Sequence, residues 1–229
     1  MVIFEDRQLL VVQKPPLWLS QADNTPRPDV LTWARRHVEV QSQKPGRAYL
    51  GLCHRLDWAA GGLMALAKTS KAAKRLGQQF LARTIGKYYL ALIIGEPPLA
   101  GRLNNELYRS GHLTRLAVKG EPGTLARLEY RVLARGLIHQ RKGSLLSIKL
   151  MTGFKHQIRA QLAELGFPLV GDRRYGGFIG PSEAIGLWAY RLELDSPVGQ
   201  TPLSFQAWPG DFWPWNAWRG PNWTDSADA

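Results

Sequence analysis

Two short segments hold the residue types best suited to chemistry. His54-Arg55-Leu56-Asp57 sets one carboxylate among cationic side chains, just before the apolar run Gly62-Leu63-Met64-Ala65-Leu66-Ala67. About a hundred residues later, Thr152-Gly153-Phe154-Lys155-His156-Gln157-Ile158-Arg159 supplies a second basic cluster. A carboxylate beside cations stays charged, and it can attack an electrophilic carbon or stabilise positive character that develops there. Together the two segments predict one site. Other chemistries fit these residues less well. His54, Asp57 and His156 lack the tight spacing of a metal-ligand motif, and an arginine beside the carboxylate repels a cation. Cys53 neighbours His54, but adjacent strand residues point to opposite faces, so the thiol reads as buried packing. There is no Walker-type phosphate loop, and Gly61-Gly62 reads as a place of close backbone approach.

The elements that must position these residues follow from periodicity. Gln8 to Val12 reads as a strand stopped by Pro15-Pro16, with a loop to Pro28 and a helix over Val30 to Val40. Residues 41–46 are polar and broken by Pro45. Ala73, Leu76 and Phe80 recur at helical spacing between Ser70 and Arg83, with Lys71, Lys74 and Arg75 on other faces. Tyr88 to Ile94 reads as a strand with Tyr89, Ala91 and Ile93 on one face. Strict alternation recurs in Ala126 to Val132, in Leu146 to Leu150 and in Trp188 to Leu194. Ile158, Leu162 and Leu165 mark a helix closed by Gly166 and Pro168, with Arg159 just off its apolar stripe. The predicted fold class is α+β, with a mixed, mostly antiparallel sheet, flanking helices and a central cleft.

The 229 residues are read as a single domain, 1–229, ending in a Trp-rich segment, 208–229, that holds five of the nine tryptophans. The structural role of those tryptophans, burial of large apolar area, is ranked ahead of base stacking. Thirty Lys and Arg against 18 Asp and Glu give a net charge of +12, spread along the chain, which favours a polyanionic partner such as nucleic acid. One cysteine excludes an intramolecular disulfide and points to a reducing compartment. The N-terminus lacks a secretory pattern, and no apolar run approaches the roughly 20 residues that span a bilayer. A soluble, cytoplasmic protein is expected.

Residues 54 to 68 resemble the central motif of the RluA-type pseudouridine synthases, approximately His-Arg-Leu-Asp followed by a small pair and an apolar strand. Three more blocks agree in order and spacing: Leu9-Leu10-Val11-Val12-Gln13-Lys14-Pro15, Lys87-Tyr88-Tyr89-Leu90-Ala91-Leu92, and Thr152 to Arg159 continued by Leu165 to Asp172. The resemblance covers nearly the whole chain and implies the pseudouridine synthase fold. It also implies isomerisation of uridine to pseudouridine in structured RNA, ribosomal or transfer, with no cofactor and no metal. Asp57 is then the catalytic aspartate. Arg159 pairs with it and keeps it ionised, while Tyr89 stacks on the target base and helps remove the C5 proton. Arg55, with His54, Lys155 and His156, is assigned to holding the flipped nucleotide.

Several residues depart from the family pattern. Trp58, Ala59 and Ala60 replace the usual polar residues after the aspartate, and Gly61 replaces the customary serine. Phe154 and Lys155 stand where Thr-Gly-Arg would end, and Leu17 stands where glycine often follows Lys-Pro. These changes bear on substrate contacts and spare Asp57, Tyr89 and Arg159. Many relatives carry an N-terminal RNA-binding module of the S4 type; here the first catalytic-domain strand starts almost at Met1, so the catalytic domain alone is expected. Two rival readings remain in view. One is a noncatalytic RNA-binding protein on the same scaffold, against which the intact Asp57, Tyr89 and Arg159 argue. The other is a metal-dependent nuclease, which lacks a carboxylate cluster.

Overall fold

Local sequence sets the element boundaries directly. The helix over Ser70–Ala82 begins where the Thr69 hydroxyl accepts the Ala72 N–H, and it ends where Arg83 turns left-handed at φ 58. Leu76 and Ala72 are buried, Ala73 and Phe80 are half-buried at the margins of the stripe, and Lys71, Lys74 and Arg75 face solvent. The structure, a computed structural model, describes residues 1–42 and 47–221.

Along the chain run β1 (Val2–Glu5), β2 (Leu9–Lys14), α1 (Val30–Ser42), β3 (Gly51–Leu52), β4 (Gly61–Ala67) and α2 (Ser70–Ala82). Next come β5 (Gly86–Ile94), β6 (Ala100–Ser110), β7 (Leu113–Leu116), β8 (Thr124–Ile138), β9 (Arg141–Leu150) and α3 (Gln157–Glu164). Last are β10 (Leu187–Asp195), β11 (Pro202–Gln206) and β12 (Trp218–Arg219), with short 3₁₀ turns at Arg173–Tyr175 and Trp215–Ala217. The fold is α+β and mostly antiparallel, and no helix among the described residues is long and apolar enough to cross a membrane. The chain divides into two compact units, one of Met1–Gly86 with Arg191–Ala207 and one of Lys87–Tyr190 with the residues from Trp208 on.

In the first unit β1, β2 and β4 lie antiparallel in that order, with β3 against β4 and β11 against the second half of β10. The core joins Leu9 and Val11 to Leu63 and Ala65, with Leu76, Leu192 and Phe205 completing it and Cys53 packed at its margin. Burial raises the pKa of the Cys53 thiol, as the packing role predicts. β4 is buried on both faces, so its sequence reads as a continuous apolar run rather than an alternation.

In the second unit the order is β5, β9, β8, β6, β7, every pairing antiparallel, with β12 added to the far end of β8. The alternation over Ala126 to Val132 is real, but β8 runs on through an irregularity at Val132/Ala134 to Ile138. Only His139 and Gln140 separate it from β9, both at positive φ (45 and 62), the geometry of a tight two-residue hairpin. Trp213, Trp215 and Trp218 are buried and Trp208 stacks on Tyr190 with centroids 5.3 Å apart, so these tryptophans build the unit; Trp223 lies outside the described residues. Gly171 is required by its conformation, since it sits at φ 83, where a side chain would also collide with the Ala184 carbonyl. Gly171→Ala should therefore destabilise the protein by about 2 kcal/mol, read as a lower urea midpoint, whereas an unchanged midpoint contradicts this placement.

Candidate active site

The predicted site residues divide between the two units: His54, Arg55 and Asp57 belong to the first, and Tyr89, Lys155, His156 and Arg159 to the second. Each set is built by its own unit.

Asp57 lies half-buried on an irregular segment between β3 and β4. What fixes this segment is the stretch that follows β2. Ser20 Oγ donates to the Leu56 carbonyl at 3.0 Å and accepts the Leu56 N–H at 3.1 Å. On the other side of Asp57, the Leu17 N–H donates to the Trp58 carbonyl at 2.8 Å, and the Trp58 indole N–H donates to the Leu17 carbonyl at 2.6 Å. Both neighbours of Asp57 are thus tied to residues 17–20. Leu17 takes φ 64 to make this exchange, a left-handed conformation in which glycine carries no steric penalty and leucine does. Leu17 and Trp58 thus bond each other in both directions.

Beneath this exchange lies Lys14, the last residue of β2 and fully buried. Its ammonium donates to the carbonyls of Pro15 (2.9 Å), Trp18 (2.7 Å) and Trp58 (3.2 Å). Three acceptors match the three hydrogens of an ammonium, whereas a neutral amine has two to offer. Burial pushes the Lys14 pKa down to about 7, and the negative charge of Asp57 pushes it back up. Opposite Lys14 in the ladder stands Gly62, at φ 116. Sequence reading missed Lys14 as a site residue; the signal was a lysine in register with the buried residues Leu10 and Val12 of its own strand.

His54 accepts the Ala65 N–H on Nε2 at 2.9 Å and stacks on Phe80 with centroids 4.6 Å apart, linking the Asp57 segment to β4 and α2. Arg55 is exposed.

In the second unit Tyr89 is buried on β5 opposite Ile148, and Tyr88, paired with Lys149, lies on the other face. Arg159, in the first turn of α3, is buried and bound by a carboxylate that the sequence reading did not identify. Its Nε and Nη2 donate to Oδ2 and Oδ1 of Asp172, each at 2.7 Å, and its guanidinium lies 4.9 Å from the centre of the Tyr175 ring. The Tyr175 hydroxyl accepts the Thr114 N–H at 2.9 Å and lies 3.0 Å from Nδ1 of His156. His156 itself precedes the helix at φ 54, and the Thr114 hydroxyl donates to the carbonyl of exposed Lys155 at 2.7 Å.

Polar residues hold α3 in place. Gln157 accepts from Thr152 Oγ1 at 2.8 Å and the Phe154 N–H at 3.1 Å, and it donates to Gln161 at 3.1 Å. Gln161 reaches Asn105 at 2.7 Å. A helix read from sequence as amphipathic is in fact buried along Gln157 to Leu162, its glutamines satisfying one another. The spacing of Gln157 and Gln161, one helical turn apart on a buried segment, was the available signal.

Two outcomes follow. The Lys14 pKa lies below that of an unfolded lysine, about 10.4, so between roughly pH 7 and 10 the unfolded chain binds more protons. This group therefore makes stability rise with pH across that window. Urea midpoints at about pH 7 and pH 9.5 should differ less for Lys14→Met than for the native protein, and equal differences contradict the assignment. Asp172→Asn leaves the buried Arg159 without that carboxylate and should cost about 3 kcal/mol in the same assay; a neutral effect contradicts the pairing described.

The family model described as RNA pseudouridylate synthase matches residues 8–164. The chain is 35% identical over 177 residues to the ribosomal large subunit pseudouridine synthase D of Pseudomonas aeruginosa, covering 77% of this chain and 53% of that protein. It is 37% identical over 222 residues to the protein of the same name in Nitrosomonas europaea, covering 92% of this chain and 62% of the relative. The chain thus spans between half and two thirds of the length of these curated relatives. Among solved structures, human RNA pseudouridylate synthase domain containing 1 matches with a TM-score of 0.77 at 23% identity, over 99% of this chain and 92% of that one, a likeness of fold. With its family match running from β2 into α3, this chain belongs to the RNA pseudouridylate synthase family.

Proposed function

We propose that the chain isomerises specific uridines of structured RNA to pseudouridine, with Asp57 as the reacting group and no cofactor or metal. The observation that carries this reading is the family match over residues 8–164, which takes in Asp57, Tyr89 and Arg159 together, each with the residue type the reaction needs. The reaction breaks the C1′–N1 bond, turns the base, and joins C1′ to C5; the C5 proton leaves and N1 gains one, so atoms and redox state balance. Asp57 supplies the negative charge required at C1′. Tyr89 stacks on the base and its hydroxyl assists removal of the C5 proton, and Arg159 serves in electrostatic positioning. Arg55, His54, Lys155 and His156 hold the flipped nucleotide.

The +12 net charge supports a polyanionic substrate, and the single cysteine supports action in the reducing cytoplasm. Large-subunit ribosomal RNA is the first substrate class to test, because two relatives carry that activity in their names. Release of tritium from C5-labelled uridine in total RNA tests the proposal: the native protein should release it without added metal, and Asp57→Asn should reduce release by at least about a thousandfold. Native protein that binds RNA but releases nothing from ribosomal or transfer RNA contradicts the proposal and leaves a binding protein on the same scaffold.

A further inference from the structure

We propose that Arg27, whose guanidinium lies over the indole of Trp58, contacts an RNA backbone phosphate beside the target nucleotide. The inference rests on the reading of the chain as an RNA-uridine isomerase and adds a substrate contact built from this chain's own departures from the family pattern.

The guanidinium carbon of Arg27 lies 4.3 Å from the centre of the Trp58 ring. Trp58 follows Asp57 directly, so the pair is carried by the segment that holds the proposed reacting group. The platform is rigid: the indole N–H is bonded to the Leu17 carbonyl, and the Trp58 carbonyl takes both the Leu17 N–H and the buried Lys14 ammonium. The loop that leads to Arg27 is itself anchored by Ser20 on Leu56. The Arg27 guanidinium therefore rests on a support held from several sides.

The edges of that guanidinium are open. Arg27 is exposed, and none of the hydrogen bonds among the described residues uses its side chain. Asp23 is the acid whose charge it influences, but it forms no ion pair with Arg27 among the described residues, and its Oδ1 accepts the backbone N–H and hydroxyl of Thr25. A planar fork of N–H donors with no carboxylate across it fits a phosphate by two parallel hydrogen bonds, and pre-set orientation reduces the entropy lost on binding. A mere cover for the indole would need no open donors; a lysine or an aliphatic residue would serve as well.

Binding of fluorescein-labelled single-stranded oligouridylate, followed by anisotropy between about 50 and 400 mM KCl, separates these roles. Arg27→Gln should weaken binding several-fold at low salt and make the slope of log K against log[salt] shallower by about 0.7, the change for one phosphate contact on a single strand. Its urea midpoint should match that of the native protein. An unchanged slope, absence of binding by the native protein, or a loss of affinity accompanied by a lower midpoint overturns the proposal. The C5-tritium assay keeps the two readings distinct. Release by the native protein with an Arg27-independent slope removes only the phosphate contact, and an Arg27-dependent slope without release removes only the isomerase.

Discussion

One buried ammonium holds the segment that carries Asp57. Removing a charge from water costs several kcal/mol, and Lys14 offsets part of that cost by giving its three hydrogens to the carbonyls of Pro15, Trp18 and Trp58. Those carbonyls belong to irregular backbone on two separate stretches of the chain, so one side chain joins the end of β2 to the residue after Asp57. The Leu17 and Ser20 bonds then close around Asp57 from both sides. A loop bound in this way is positioned as firmly as a strand while leaving the carboxylate outside any ladder. Asp57 also works on Lys14, since its negative charge favours the ammonium that anchors its own segment.

The second unit solves a similar problem with a different set of groups. Arg159 is buried, and the bidentate Asp172 carboxylate fixes the plane of its guanidinium while Tyr175 covers one face. Asp172 and Tyr175 come from the segment after Gly171, whose left-handed backbone and close approach to Ala184 set where that segment turns. The chemistry of one arginine thus depends on a glycine twelve positions later in the chain, which no local pattern around Arg159 announces.

Legibility in the sequence followed how far each signal reaches along the chain. The strand after Gly61, the helix capped at Thr69, the Tyr89 strand and the alternations at Ala126 and Leu146 each carry their own periodicity, and each is present. β6 was missed because Asn104, Asn105 and Glu106 dilute its alternation; it is a strand because it pairs with β8. β8 and β9 extend beyond the alternations at Ala126 to Val132 and Leu146 to Leu150, and the turn joining them carries no sequence signal because His139 and Gln140 take positive φ without the usual Asn or Gly. Of the site, the residue types were visible, whereas their supports were not. Lys14, Asp172 and Gln161 are buried polar groups, and each has a partner elsewhere in the chain, Trp58, Arg159 and Asn105 in turn, that only the fold supplies.

Trp58 and Leu17 bond each other in both directions, which holds the segment after Asp57 in place and supports the aromatic surface over which Arg27 lies. The account places reaction at Asp57 above all else. Its most direct test is a transcriptome-wide map of pseudouridine in cells lacking the chain, complemented with the native protein or with Asp57→Asn. The account predicts that defined sites disappear and return only with the native protein; sites that persist in its absence, or that Asp57→Asn restores, would contradict it.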